Sequence, residues 1–168
     1  MFLKLLQVSQ EKVERMKKIS EHISYKEATY SRTATRLNIE NKPNAEQLAN
    51  MEALAETIFE PLREWTGSPI KITSFFRSKA LNGVFGAKNS AHMSGCAIDI
   101  DDTLGKKKNA QMFEWIKDNL EFDTLIWEFG TDKNPDWIHV AYYPDRENRK
   151  RVLKAVKINN QTHYQPYE

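Results

Sequence analysis

Of the four histidines, His22, His92, His139 and His163, two stand where their neighbours could do chemistry. His92 lies in Ser90-Ala91-His92-Met93-Ser94-Gly95-Cys96-Ala97-Ile98-Asp99. A turn at Gly95 can fold this segment back so that the imidazole and the Asp99 carboxylate converge. His139 lies in Asp136-Trp137-Ile138-His139-Val140, where a strand would put Trp137 and His139 on one face and Ile138 on the other. Two ligands from one short segment and a third from a distant strand are a normal way to build a catalytic zinc site, with the fourth position left to water. Zinc lowers the pKa of a coordinated water toward about 7. Asp136, just ahead of the strand, could aim its carboxylate at that water, take its proton and return it to a leaving amine. Asp101 and Asp102 could orient a ligand or lie in solvent. Spacing alone leaves a second reading open, in which both histidines are hydrogen-bonded structural residues. Cys96, between Gly95 and Ala97, reads as a small core residue rather than a ligand.

The elements that must position these groups alternate between helix and strand. Leu3, Leu6, Val13, Met16 and Ile19 recur at helical spacing and predict an amphipathic helix over residues 1–20. Ser24 to Pro43 reads as loop and short turns. Asn44 and Gln47 form a capping pair ahead of a long helix. Pro61 should kink or restart that helix, and Gly67 should end it. Ile70–Thr73, Cys96–Ile100, Thr124–Phe129 and Trp137–Tyr142 read as strands, and Asn109–Leu120 as a second helix. Asn82–Asn89, with two glycines, reads as loop. The polar tail over 160–168 is expected to fray. Helices mixed with strands on short connections predict an α+β domain over residues 1–168, with a mainly antiparallel sheet flanked by helices.

Composition bounds the function. At 168 residues the chain is long enough for one self-sufficient core. A 40% hydrophobic and 29% charged balance excludes disordered and membrane-inserted classes. A net charge of +2 gives no argument for a nucleic-acid partner, and Lys106-Lys107-Lys108 reads as a solvated turn. One cysteine excludes an internal disulfide framework. The start, Met1-Phe2-Leu3-Lys4-Leu5-Leu6, meets charges too soon for a secretory signal, so synthesis in the cytoplasm is expected. Oligomeric state is not readable.

Thr73-Ser74-Phe75-Phe76-Arg77-Ser78, Leu81-Asn82, Gly86-Ala87, Ser90-Ala91-His92, Gly95-Cys96-Ala97-Ile98-Asp99-Ile100 and Trp137-Ile138-His139-Val140 follow in that order. This ordered set resembles the zinc D-alanyl-D-alanine carboxypeptidase family (peptidase M15-like), which includes phage endolysins that cut L-alanyl-D-glutamate bonds. It is most similar to the small branch whose signature reads S-G-x-R-S-x-x-L-N, S-x-H-x-x-G-x-A-x-D and W-x-H-V. Ser31-Arg32-Thr33-Ala34 and Asn41-Lys42-Pro43 extend the resemblance upstream, so that it covers about residues 20–142. Phe75 and Phe85 depart from it, standing where glycine is usual.

The resemblance implies one Zn2+ per chain, bound by His92, Asp99 and His139. It implies Asp136 as general base and Arg77 as a cation that polarises the scissile carbonyl or holds a carboxylate. Ser90 would hydrogen-bond near the site or serve a turn, and Glu128 would be a pocket acid or a plain strand residue. The implied fold is the α+β one shared with hedgehog signalling domains. The implied substrate is a peptidoglycan stem-peptide bond involving a D-amino acid, cut by a D,D-carboxypeptidase or an L-Ala-D-Glu-type endopeptidase. A phage or prophage endolysin would reach the cell wall after release from the cytoplasm. A competing reading is a non-catalytic module that binds cell wall or a protein on the same metal-containing fold.

Overall fold

The computed structural model describes residues 18–86 and 88–168. The chain enters through two short helices, α1 (Tyr25–Thr29) and α2 (Arg32–Leu37). Each starts at a serine, Ser24 or Ser31, whose hydroxyl accepts from a backbone N–H three residues on. These caps were the signal for helix in a stretch expected to be loop. The helix predicted over residues 1–20 lies outside the described residues except for its last three. Of these, Lys18 forms a bridge to Ser24 rather than a helical turn.

Asn44 opens the next helix as predicted. Its side chain accepts from Gln47 N, and the Gln47 side chain accepts from Asn44 N. Helix α3 (Ala45–Leu54) runs into a π-helical turn, Ala55–Phe59, and continues as α4 (Glu60–Thr66). The restart expected near Pro61 takes this form because the proline ring presses on the carbonyl four residues back, and a widened turn relieves it. Gly67, at φ +59°, ends α4.

The remaining elements are β1 (Lys71–Ser74), α5 (Lys79–Val84), a 3-10 turn (Ala91–Ser94), β2 (Ala97–Asp101), α6 (Asn109–Asn119), β3 (Thr124–Glu128), β4 (Trp137–Ala141), β5 (Arg151–Ile158) and β6 (Gln161–Pro166). Helix α5 takes the first part of the loop expected over Asn82–Asn89. The strands form one sheet in the order β1-β2-β4-β3-β5-β6. The architecture is α+β, but the sheet is mixed rather than mainly antiparallel: β5 pairs with β3 in parallel. Strand β5 returns antiparallel to β4 but lands beyond β3, so its direction matches that of β3. Asp123, 1% exposed, holds this crossover by accepting from Arg149 Nε at 2.9 Å and Nη2 at 2.6 Å.

The tail expected to fray is strand β6. It pairs with β5 from Ile158↔Gln161 to Leu153↔Pro166. Asn159 and Asn160 both have positive φ, which fits a two-residue hairpin turn that asparagine tolerates. Tyr167 then packs its ring on Phe113 and Trp127 and donates from its hydroxyl to Glu114 Oε1.

The sheet has two unlike faces. Ile98, Ile100, Leu125, Trp127, Ile138 and Val140 point into the main core, against Met51, Leu54, Ile58, Met112, Phe113 and Ile116 of the helices. The alternate residues Asp99, His139, Ile126, Glu128 and Trp137 share the other face, as the strand register requires. That face carries the polar cluster.

Candidate metal centre

Asp99 and His139 face each other directly across β2 and β4. Asp99 Oδ1 lies 2.8 Å from His139 Nδ1, and Asp99 Oδ2 lies 3.2 Å from His92 Nε2. The two imidazoles meet edge to face, with centroids 5.1 Å apart. One ligand atom from each of the three residues lies within 4.8 Å of the others. The structure therefore brings together the three predicted ligands.

His92 is held from several sides. Its turn is capped by Ser90, whose hydroxyl accepts from His92 N, so Ser90 serves the turn and not the cluster directly. Helix α3 grips the same turn: Gln47 Nε2 donates to Met93 O at 2.8 Å, and Asn50 Nδ2 donates to Ser94 O at 2.9 Å. Gly95 lets the helix come this close. Its φ is +75°, and a Cβ there would lie 2.4 Å from Gln47 O and 2.8 Å from Met51 Cγ. His92 Nδ1 lies 2.7 Å from Phe75 O, a group that can only accept. The proton therefore sits on Nδ1, and in the neutral ring Nε2 is an unprotonated lone pair aimed at Asp99.

The electrostatics agree. Burial pushes the His92 pKa down against the opposing pull of Asp99, which favours the neutral ring. Burial would raise the Asp99 carboxyl, but the two imidazoles more than offset it and hold it far below the usual carboxylate range. The buried carboxylate and the two imidazoles together bring two nitrogens and one oxygen to one point, a donor set that a divalent cation would complete.

Arg77 is committed to this cluster. Its Nε donates to Ser74 Oγ at 2.8 Å and its Nη2 to Asp99 Oδ2 at 2.9 Å. It positions Asp99 and also lines the groove that reaches the cluster. Asn41, in the segment before α3, braces the loop that carries Arg77. It donates to Thr29 O and Phe76 O and accepts from Ser78 N at 2.7 Å.

The two predicted acids part company. Asp136 N donates to Glu128 O, but the Asp136 side chain is exposed and makes no hydrogen bond or ion pair among the described residues. It lines a separate groove of about 510 Å³ beside Phe129 and Lys157. Glu128 is buried on the cluster's face. Burial lifts its pKa to about 7; the positive fields of His139 and Arg77 oppose that rise, and Asp99 adds to it.

Two departures from the expected pattern have plain consequences. Phe75 is 1% exposed and belongs to the core, while its carbonyl serves His92. Phe85 is 52% exposed and lies under the Arg77 guanidinium, 5.3 Å from ring centroid to Cζ. Cys96 is a buried free thiol outside the cluster.

The sequence reading missed Tyr164. In the register Glu128↔Ala155↔Tyr164, the ring stands on the cluster's face of β6. Ala155 between them is small and fully buried. Burial raises the Tyr164 pKa, and the charges of Glu128 and Asp99 add to the rise.

The family described as Peptidase M15 matches residues 21–141 of the chain. The chain belongs to that family. Membership in peptidase M15 makes it a peptidase by family, hence a hydrolase, and this family is generally metal-dependent. The matched span contains His92, Asp99, Glu128, Asp136 and His139. Comparison with curated proteins found no match. No helix among the described residues is long and apolar enough to cross a membrane.

Proposed function

We propose that the chain is a zinc-dependent peptidase that hydrolyses peptidoglycan stem-peptide bonds involving a D-amino acid. The observation that carries this reading is the convergence of His92, Asp99 and His139 within 4.8 Å. These three side chains would hold the metal. When bound, zinc supplies a Lewis acid for the scissile carbonyl and lowers the pKa of water.

The chain's own residues do the rest. The Phe75 carbonyl keeps the His92 proton on Nδ1, so Nε2 is free to ligate. Arg77 holds one Asp99 oxygen and fixes the carboxylate's orientation. Glu128, buried on the same face, is our choice of general base. It would take the proton of the attacking water and pass it to the amine as the C–N bond breaks. A carboxyl that titrates near neutrality is suited to both halves of that exchange. Asp136, the base that the family pattern implies, is the competing choice.

The test is a digest of purified muropeptides by zinc-loaded protein, with E128Q and D136N alongside. Cleavage at a bond flanked by a D-residue is expected for the wild type. Intact stem peptides with zinc bound would overturn the peptidase reading and leave a binding module. Loss of turnover in D136N with E128Q active would move the base to Asp136.

A further inference from the structure

The groove of about 510 Å³ on the β3–β5 side is separate from the one that reaches the cluster, and Trp137 lines both. Phe129 and Trp137 give it an aromatic wall, with ring centroids 5.4 Å apart and planes tilted by 58°. Both rings are half-buried, so each still shows part of its surface. The Lys157 ammonium stands over the Phe129 ring, 5.6 Å from its centroid. It makes no ion pair or side-chain hydrogen bond among the described residues, so its three N–H donors are open to a ligand. The charges of the lining cancel: Asp132 and Asp136 stand against Lys154 and Lys157, and Lys154 is already paired with Asp132.

The wall is held against backbone preference. Phe129 has φ +53°, a left-handed conformation that a bulky residue rarely adopts. Gly130 follows at φ +71°, where a Cβ would lie 2.4 Å from Asn134 O, so the turn is pressed onto the loop that leads into Trp137. A glycine at 129 would take the same backbone without strain, so the turn itself does not call for an aromatic ring there. Strain kept at the rim of a groove is the pattern of a residue that serves a ligand. The lining also says what kind. A wholly aliphatic group would strip water from Lys157 without replacing it, and an ion would meet a lining with no net charge. A pyranose ring has a flat C–H face to lie on an aromatic ring and a rim of oxygens to accept from an ammonium.

We propose that the Phe129–Trp137–Lys157 groove binds a neutral sugar ring. The identity of that sugar as part of a cell-wall glycopeptide rests on the peptidase reading. In that case Trp137 stands at the joint, with sugar on one side and the groove that takes the peptide on the other.

The test is titration of zinc-loaded protein with N,N′-diacetylchitobiose, a neutral disaccharide with no peptide bond to a stem, followed by calorimetry and amide NMR. The wild type should bind with a Kd of about 1 mM, and the shifts should centre on Phe129, the Trp137 indole and Lys157. F129G relieves the backbone and removes the ring; it should keep the wild-type melting temperature and weaken binding at least about fivefold. K157Q should weaken it about fivefold, the worth of one hydrogen bond. Lys157 is exposed, so K157Q decides alone if F129G fails to fold. No saturable binding up to about 20 mM would overturn the proposal. So would shifts centred elsewhere, or binding that either folded variant leaves intact. Turnover plays no part in this readout: absent cleavage of stem peptides sinks the peptidase reading and leaves the sugar site standing.

Discussion

Asp99 Oδ1 and His139 Nδ1 stand 2.8 Å apart on directly paired residues of two neighbouring strands, so the sheet's own hydrogen bonds set the spacing of two candidate ligands. Only His92 must be delivered from outside the sheet. Replacing His92 or His139 by Ala should therefore leave a folded protein that has lost metal. Elemental mass spectrometry should find about one zinc per chain in the wild type and an affinity at least about 100-fold weaker in each variant, exceeding the loss typical of an outer-contact change. Chelation should lower the wild-type melting temperature, and added zinc should restore it, because a ligand that binds the native state alone stabilises that state.

Glu128→Gln keeps shape and removes the ionisable oxygen. It should retain zinc and lose about 10²–10⁴-fold in kcat, the range for a general base. Asp136→Asn, on an exposed side chain outside the cluster, should stay within about threefold of wild type, well short of that range. Steady-state kinetics on a defined stem peptide separates the two.

Gly95→Ala should be the most damaging single methyl in the site. It forces a left-handed backbone on a residue with a Cβ and drives that Cβ into the Gln47 carbonyl. A loss of about 2–4 kcal/mol is expected in urea unfolding of metal-free protein. Zinc affinity should fall as well, because the turn that carries His92 must move.

Asp123 supplies a pH dependence. Burial would raise its pKa, but hydrogen bonds from Arg149 and Thr124 prevail and lower it. A carboxylate with a lowered native pKa adds stability above its unfolded value near 3.9, and that stability is lost as the pH falls through the native value. Asp123→Asn should cost about 1–2 kcal/mol at pH 6, and the gap to wild type should narrow by pH 3. Unfolding curves at the two pH values check the sign.

Much of the centre was legible because its parts are local. Gly95 and Asp99 lie within seven residues of His92, and strand alternation puts Trp137 and His139 on one face. The Asn44–Gln47 cap and the Gly67 stop were legible for the same reason. What was not legible depends on pairings between distant segments. Arg77 was expected as a cation near the substrate, and its bond to Asp99, 22 residues away, was not legible. Asp136 was expected as the base because it sits just ahead of the His139 strand and because the resemblance implies an acid there. The β3–β4 register puts the buried acid on the cluster's face and leaves the nearer one in a neighbouring groove. Strand β6 reads as tail because Gln161-Thr162-His163-Tyr164-Gln165-Pro166 is polar and has no apolar alternation to announce it.

That last strand also has a colloidal consequence. It is one of the two edges of the sheet, and an open edge is a template on which another chain can add. Here the edge is Gln161-Thr162-His163-Tyr164-Gln165-Pro166, with no aliphatic side chain and a proline that cannot donate to a ladder. The segment that puts Tyr164 on the cluster's face of the sheet therefore also makes this flank of the molecule a poor seed for aggregation.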